Sequence, residues 1–209
     1  RSYHNANPFT LRLVKRLKQT GAKVMMEIPT YPYDQEYVTR SMKFFLAIDR
    51  CFRHQLAKAL DGIITFSNAK KIFGGNTIRI SNGIDFEAIK MKRQQNDISK
   101  ELHLIGVAEV HYWHGFDRLV NGMADYYRNH PEYKVYFHII GPLSGERERV
   151  AILPVIRNNN LEPYVLLHGP LHGEELDILF EKADFAIGSL GRHRSGITYI
   201  KTLKNREYA

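Results

Sequence analysis

Between residues 101 and 190 the sequence alternates an apolar strand pattern with an amphipathic helix pattern. ELHLIGVA (101–108), YKVYFHIIG (133–141), YVLLHG (164–169) and DFAIGSL (184–190) are short, almost continuously apolar, and end in or close to small residues. FDRLVNGMADYYRNH (116–130), RERVAILPVIRNN (147–159) and GEELDILFEKA (173–183) lie between them with helical periodicity, and Pro154 predicts a kink in the second. A strand with no polar face is buried on both sides, and a crossover of helical length joins strands that run parallel. The pattern therefore predicts an α/β fold with a doubly wound parallel sheet over 101–209.

The first 85 residues carry a looser form of the same pattern. Phe9 to Thr20 reads as an amphipathic helix stopped by Gly21, AKVMMEIP as a strand, and Glu36 to Leu60 as a long helix. DGIITFS reads as a strand, Asn68 to Phe73 as a short helix, and TIRISNGID as a strand closed by an Asn82-Gly83 turn. Tyr31, Tyr33 and Asp34 follow the carboxyl end of the first strand, where open α/β sheets bind ligands. They are candidates for sugar contact, and equally for packing a loop. Cys51, the single cysteine, falls in the long helix, where its default is a small core residue. Residues 86–100 are polar and aperiodic and read as a linker, dividing the chain into 1–85, 86–100 and 101–209.

The net charge of +8 favours anionic partners, whether nucleotides, nucleic acid or lipid headgroups. Cationic side chains are scattered rather than clustered, and no zinc-finger, RNP-like or helix-turn-helix pattern occurs, which argues against nucleic acid. No apolar run approaches the roughly 20 residues that cross a bilayer, and one cysteine permits no intrachain disulfide, so a cytoplasmic protein is expected. The basic side of the long helix leaves open a peripheral contact with an anionic membrane.

The last stretch holds most of the candidate chemistry. After the strand DFAIGSL comes GRHRSG, with Gly191, Arg192, His193, Arg194 and Gly196, and then a helix pattern N-capped by Thr202 and containing Lys204 and Glu207. A helix N-terminus behind a glycine-rich cationic loop suits a phosphate. The same residues also fit a plain connection with solvated arginines.

Several segments, in order, resemble group 1 (family 4-like) glycosyltransferases. They are ISNGID (80–85), GVAEVHYWHGFDRLV (106–120), HIIG (138–141), VLLHGPLHGEELDILFEKADFAIGSL (165–190) and REYA (206–209). EIPTYPYDQE and WHGFDRL resemble the branch that builds bacterial capsular and cell-surface polysaccharides. The resemblance implies a GT-B fold of two Rossmann-like domains. The acceptor side, with Tyr31, Tyr33 and Asp34, would lie in the first, and a nucleotide-diphosphate sugar would bind the second. It implies retention of configuration, no cofactor and no metal, in keeping with the lack of an Asp-x-Asp signature. It also implies that both ends of a longer protein are missing, so that this piece alone is inactive.

By the same resemblance Glu207 takes the ribose hydroxyls, as an ionised carboxylate can. The family's first acid is replaced by Tyr199 or His193, depending on the alignment, and His193 is the catalytic substitute expected, as a hydrogen-bonding group near the diphosphate. Glu109 and His114 stand where the family has its diphosphate-binding Arg and Lys. Arg192, Arg194 and Lys204 are expected to supply that charge instead, with Gly115 beside His114 at the same pocket. Leu171, after the third strand, falls where main-chain groups cradle the base. The expected partners are a nucleotide-sugar donor and a saccharide or lipid-linked saccharide acceptor at the inner face of the plasma membrane. The competing readings are a nucleotide-sugar epimerase of the same fold and a non-catalytic nucleic-acid-binding module.

Overall fold

The structure, a computed structural model, describes residues 5–85, 87, 90–92, 100–197, 204, 205 and 208. The chain divides into two compact units. Unit 1 comprises Arg1–Gly83 and Ser195–Thr202; unit 2 comprises Ile84–Arg194 and Leu203–Ala209.

In unit 1, helix α1 (Pro8–Gln19) starts from Asn7, whose side chain accepts the Thr10 amide, with proline at the first helical position. Strand β1 (Met25–Glu27), helix α2 (Arg40–Ala59), β2 (Gly62–Thr65), β3 (Lys71–Ile72) and β4 (Gly75–Arg79) follow. The sheet order is β1-β2-β4-β3, with β1, β2 and β4 parallel. Residues 71–79 correct one sequence expectation. Instead of a helix from Asn68 to Phe73, β3 and β4 form an antiparallel hairpin that pairs Ile72 with Gly75. Phe73 and Gly74 turn it, both with positive φ (49° and 85°), as a tight two-residue hairpin requires. The core packs Ile28, Leu46, Ala57, Ile63 and Ile72 together. Within it Asp49 is fully buried and accepts the Ala6 amide at 2.6 Å and the Tyr33 hydroxyl at 2.8 Å. Cys51, expected in the core, lies exposed on α2.

In unit 2 the predicted alternation appears as β5 (Glu101–Val107), α3 (Phe116–Arg128), β6 (Lys134–Ile140), α4 (Glu146–Asn158), β7 (Val165–Gly169), α5 (Glu174–Lys182) and β8 (Phe185–Ala186). All strand pairs are parallel, in the order β7-β6-β5-β8. Leu104, Phe137 and Ile139 face α3 and α4, packing on Val120, Met123, Ile152 and Ile156. Ile105 and Ile140, one residue on, face α5 through Leu176, Leu179, Phe180 and Ala183. Each fully buried aliphatic or aromatic side chain of this kind contributes about 1.5–3 kcal/mol, so the two-faced sheet holds the unit together. Helix α4 continues through Pro154, which lies on its exposed side.

Because β6 and β7 lie on one side of β5 and β8 on the other, the connections that leave β5 and β8 diverge. Such a switch point, at the carboxyl ends of the strands, is where open parallel sheets take their ligands.

Candidate functional site

The switch point of unit 2 is built from residues 108–115 after β5 and 187–194 after β8. Gly106 starts the construction. A Cβ there would stand 2.7 Å from the Phe116 ring, so only glycine lets that ring lie on the strand and seat the first turn of α3. Residues 111–114 close on themselves. The His114 amide donates to the His111 carbonyl at 2.8 Å, and the His111 amide donates to His114 Nδ1 at 2.9 Å. Gly115, at φ 69°, turns the chain into α3. A Cβ there would fall 2.6 Å from the Gly191 nitrogen, so the two connections touch glycine to glycine. The Leu190 amide donates to the His114 carbonyl at 2.8 Å and the Gly191 amide to the Trp113 carbonyl at 3.2 Å.

Arg194 locks this junction. Its Nη1 donates to the Tyr112 carbonyl and to Asp117 Oδ1, both at 2.9 Å, and its Nη2 donates to Asp117 Oδ2 at 2.8 Å. Burial would raise the Asp117 carboxyl, but the guanidinium outweighs it and holds the group below its ordinary value. Arg194 is thus corrected from a phosphate ligand to a positioning residue, because its fork is spent on Asp117.

Arg192 and Lys204 form the cationic part, with His114 beside them. The Arg192 guanidinium stands 5.6 Å from the Trp113 ring centroid. Lys204 Nζ donates to the Val107 carbonyl, at the end of β5, at 3.0 Å. The Val107 amide donates to the Tyr208 hydroxyl at 3.1 Å. The two side chains thereby satisfy a strand end that the short β8 does not reach, since β8 pairs only with Leu104 and Ile105. Burial and then the charge of Arg192 push the Lys204 ammonium down to about 8. Burial, then Lys204 and Arg192, push His114 down to about 3. The His114 ring is therefore neutral at pH 7. Its Nδ1 accepts an amide hydrogen, so its proton sits on Nε2, which is left as a donor.

The other sequence candidates fall as follows. His193 is exposed, in a 3₁₀ turn over Arg192–Ser195. Gly196 belongs to unit 1, where a Cβ would lie 3.0 Å from Gln35 Oε1, so it is outside this set. Leu171 packs against the α5 face of the sheet of unit 2. Glu207, Tyr199 and Thr202 lie outside the described residues, as does most of the 86–100 segment. In unit 1, Tyr33 is 1 % exposed and gives its hydroxyl to Asp49, which makes it a core residue and not a sugar contact. Asp34 is bound by Arg50 and Arg53, each at 2.8 Å, so its carboxylate is already occupied. Tyr31 lies half-buried, edge-on to Phe73 at 5.5 Å. Among the described residues no group of three or more histidine, cysteine or acidic side chains could hold a metal ion, and no helix is long and apolar enough to cross a membrane.

No family model and no curated protein matches the chain. Solved structures do. A trehalose-6-phosphate synthase, studied for glycosyltransfer with retention, superposes with a TM-score of 0.55 at 11 % identity, covering 95 % of this chain and 53 % of that one. Sucrose-phosphate synthase from Thermosynechococcus elongatus gives 0.56 at 14 % identity, over 84 % and 47 %. A trehalose-6-phosphate structure from E. coli, bound with UDP-2-fluoro glucose, gives 0.50 at 10 % identity, over 84 % and 49 %. The chain thus spans about half the length of the structures it matches, and its fold is that of the GT-B glycosyltransferases.

Proposed function

We propose that the chain is part of a glycosyltransferase that moves a sugar from a nucleotide-diphosphate sugar to a hydroxyl acceptor, and that unit 2 binds the donor. The observation that carries this reading is the gathering of Arg192, Lys204 and the Nε2–H of neutral His114 at the switch point of a parallel sheet. The GT-B fold supports it, as does the UDP-sugar held by one structure of similar fold.

The chemistry follows from the charges. As the glycosidic bond breaks, the diphosphate leaving group gains negative charge. Fixed donors stabilise that charge more in the transition state than in the ground state. Arg192 offers a planar fork for phosphate oxygens, and Lys204 a compact charge whose pKa rises when an anion arrives. His114 adds a neutral donor. Arg194, Asp117, Gly115 and Gly191 hold these groups in place. His193, Glu207 and the main chain around Leu171 keep the roles expected of them from the family resemblance: a hydrogen bond near the diphosphate, the ribose and the base. By that resemblance the enzyme retains configuration without a metal, and builds cell-surface polysaccharide on a saccharide or lipid-linked acceptor. Unit 1 serves the acceptor side.

Calorimetric titration with UDP, GDP and ADP tests the reading, with Lys204→Ala as control. Binding of one nucleotide at micromolar Kd, weakened at least tenfold in the variant, is expected. No binding of any of the three would overturn it.

A further inference from the structure

On the α5 face of unit 2, three histidines from three adjacent strands stand in a row. His103 Nδ1 lies 3.0 Å from His138 Nε2, and His138 Nδ1 lies 2.9 Å from His168 Nε2. His103 is 6 % and His138 2 % exposed, and His168 is half-buried. The rings of His138 and His168 stack at 5.1 Å, and His103 stacks on Tyr136 at 4.7 Å. The row is continuous from β5 through β6 to β7, and the donor-site reading uses none of its internal bonds.

Each internal contact joins two ring nitrogens, so it is a hydrogen bond only if one nitrogen carries a proton and the other does not. Three neutral rings satisfy this in two ways, with all protons on Nε2 or all on Nδ1. The charge around the row selects between them. His103 Nε2 faces Glu101 Oε1 at 3.9 Å, which favours a proton on that nitrogen. The row then runs His168 Nε2–H to His138 Nδ1, and His138 Nε2–H to His103 Nδ1. One extra proton can be taken up without losing a link, because the neighbouring tautomers shift around the charged ring; a second extra proton sets two N–H groups against each other and breaks a link.

We propose that this row is an acid-operated latch that ties β5, β6 and β7 together while it carries at most one extra proton and lets go cooperatively as it takes up a second. The groups facing it are Glu101 on β5, Tyr136 on β6, Lys182 on α5 and Asp184 just beyond α5. Lys182 acts against protonation of all three histidines, while Glu101 and Asp184 favour it at His103 only. Burial comes first among the causes at each ring and lowers all three. A base whose pKa is lowered on folding contributes stability above its unfolded pKa and loses it as the pH falls toward the folded value. The latch therefore holds at neutral pH and weakens below about 6.5.

The test is urea unfolding of the full chain between about pH 5 and 8, followed by the fluorescence of Trp113, the single tryptophan, which lies in unit 2. Each proton taken up on unfolding changes the unfolding constant about tenfold per pH unit. His138→Leu removes one titrating ring and both links, so the slope is expected to fall by more than one proton. His168→Leu removes one ring and one link and is expected to lower it by less. A fall of one proton or less in His138→Leu, or equal falls in both variants, would overturn the latch. Should His138→Leu fail to fold, ¹⁵N spectra of the wild-type rings decide. Protons on Nε2 of all three at pH 7, with couplings across both contacts, are expected; His138 protonating near the ordinary histidine value would overturn it.

Discussion

Replacing Arg194 by Met should destabilise unit 2 by about 2–3 kcal/mol. The side chain makes three hydrogen bonds, two of them to the Asp117 carboxylate, and the paired side chains are 24 % and 23 % exposed. Exposed ion pairs contribute about 0–1 kcal/mol, and breaking a fully buried one costs about 3–5. A pair three-quarters buried falls between, with the bond to the Tyr112 carbonyl adding to it. Met keeps most of the aliphatic stem, so the loss reports the guanidinium. Urea unfolding followed by Trp113 fluorescence measures it, and a double-mutant cycle with Asp117→Asn should return a coupling of about 1–2 kcal/mol. The pH dependence has a definite sign. The Asp117 carboxyl is held below its ordinary value, so its contribution is present above about pH 4 and fades as the pH falls through the folded value. A loss below about 0.5 kcal/mol would refute the argument that Arg194 locks the junction, as would a loss that does not shrink in acid.

Three further outcomes follow from the same contacts. Gly106→Ala should cost about 1–3 kcal/mol, read by thermal unfolding, because its Cβ meets the buried Phe116 ring at 2.7 Å. Tyr33→Phe should cost about 1–2 kcal/mol of unit 1 stability in urea unfolding, since the fully buried Asp49 loses the hydroxyl at 2.8 Å. His114→Asn should flatten the stability–pH curve by about 1.4 kcal/mol per pH unit in the range from about 6.5 toward 4. Wild-type His114, held down to about 3, loses stability as the pH falls through that window, and the Asn side chain does not titrate.

The α/β architecture of unit 2 was readable because its strands and helices differ in period, and buried parallel strands have no polar face to blur the pattern. The hairpin β3–β4 was not. Its turn puts Phe73 in a left-handed conformation that bulky residues seldom adopt, and Gly74-Gly75 was the only signal. Helix periodicity at Cys51 could not say which face of α2 would be covered. The glycines and cations of the switch point were visible in the GRHRSG stretch and at His114-Gly115. Which arginine faces a ligand was not, because the partner of Arg194 lies 77 residues away at Asp117. The histidine row has the same character. His103, His138 and His168 are separated by 35 and 30 residues, and only the strand register sets them in line.

The most direct measurement is an NMR pH titration of the Lys204 side chain, in the free protein and with UDP, GDP or ADP. The pKa expected in the free protein is about 8, set by burial and Arg192. A rise of about one unit or more is expected when a nucleotide diphosphate settles against the ammonium. A free-protein value near the ordinary lysine pKa of about 10.4, or no change with any of the three nucleotides, would contradict the donor-site reading.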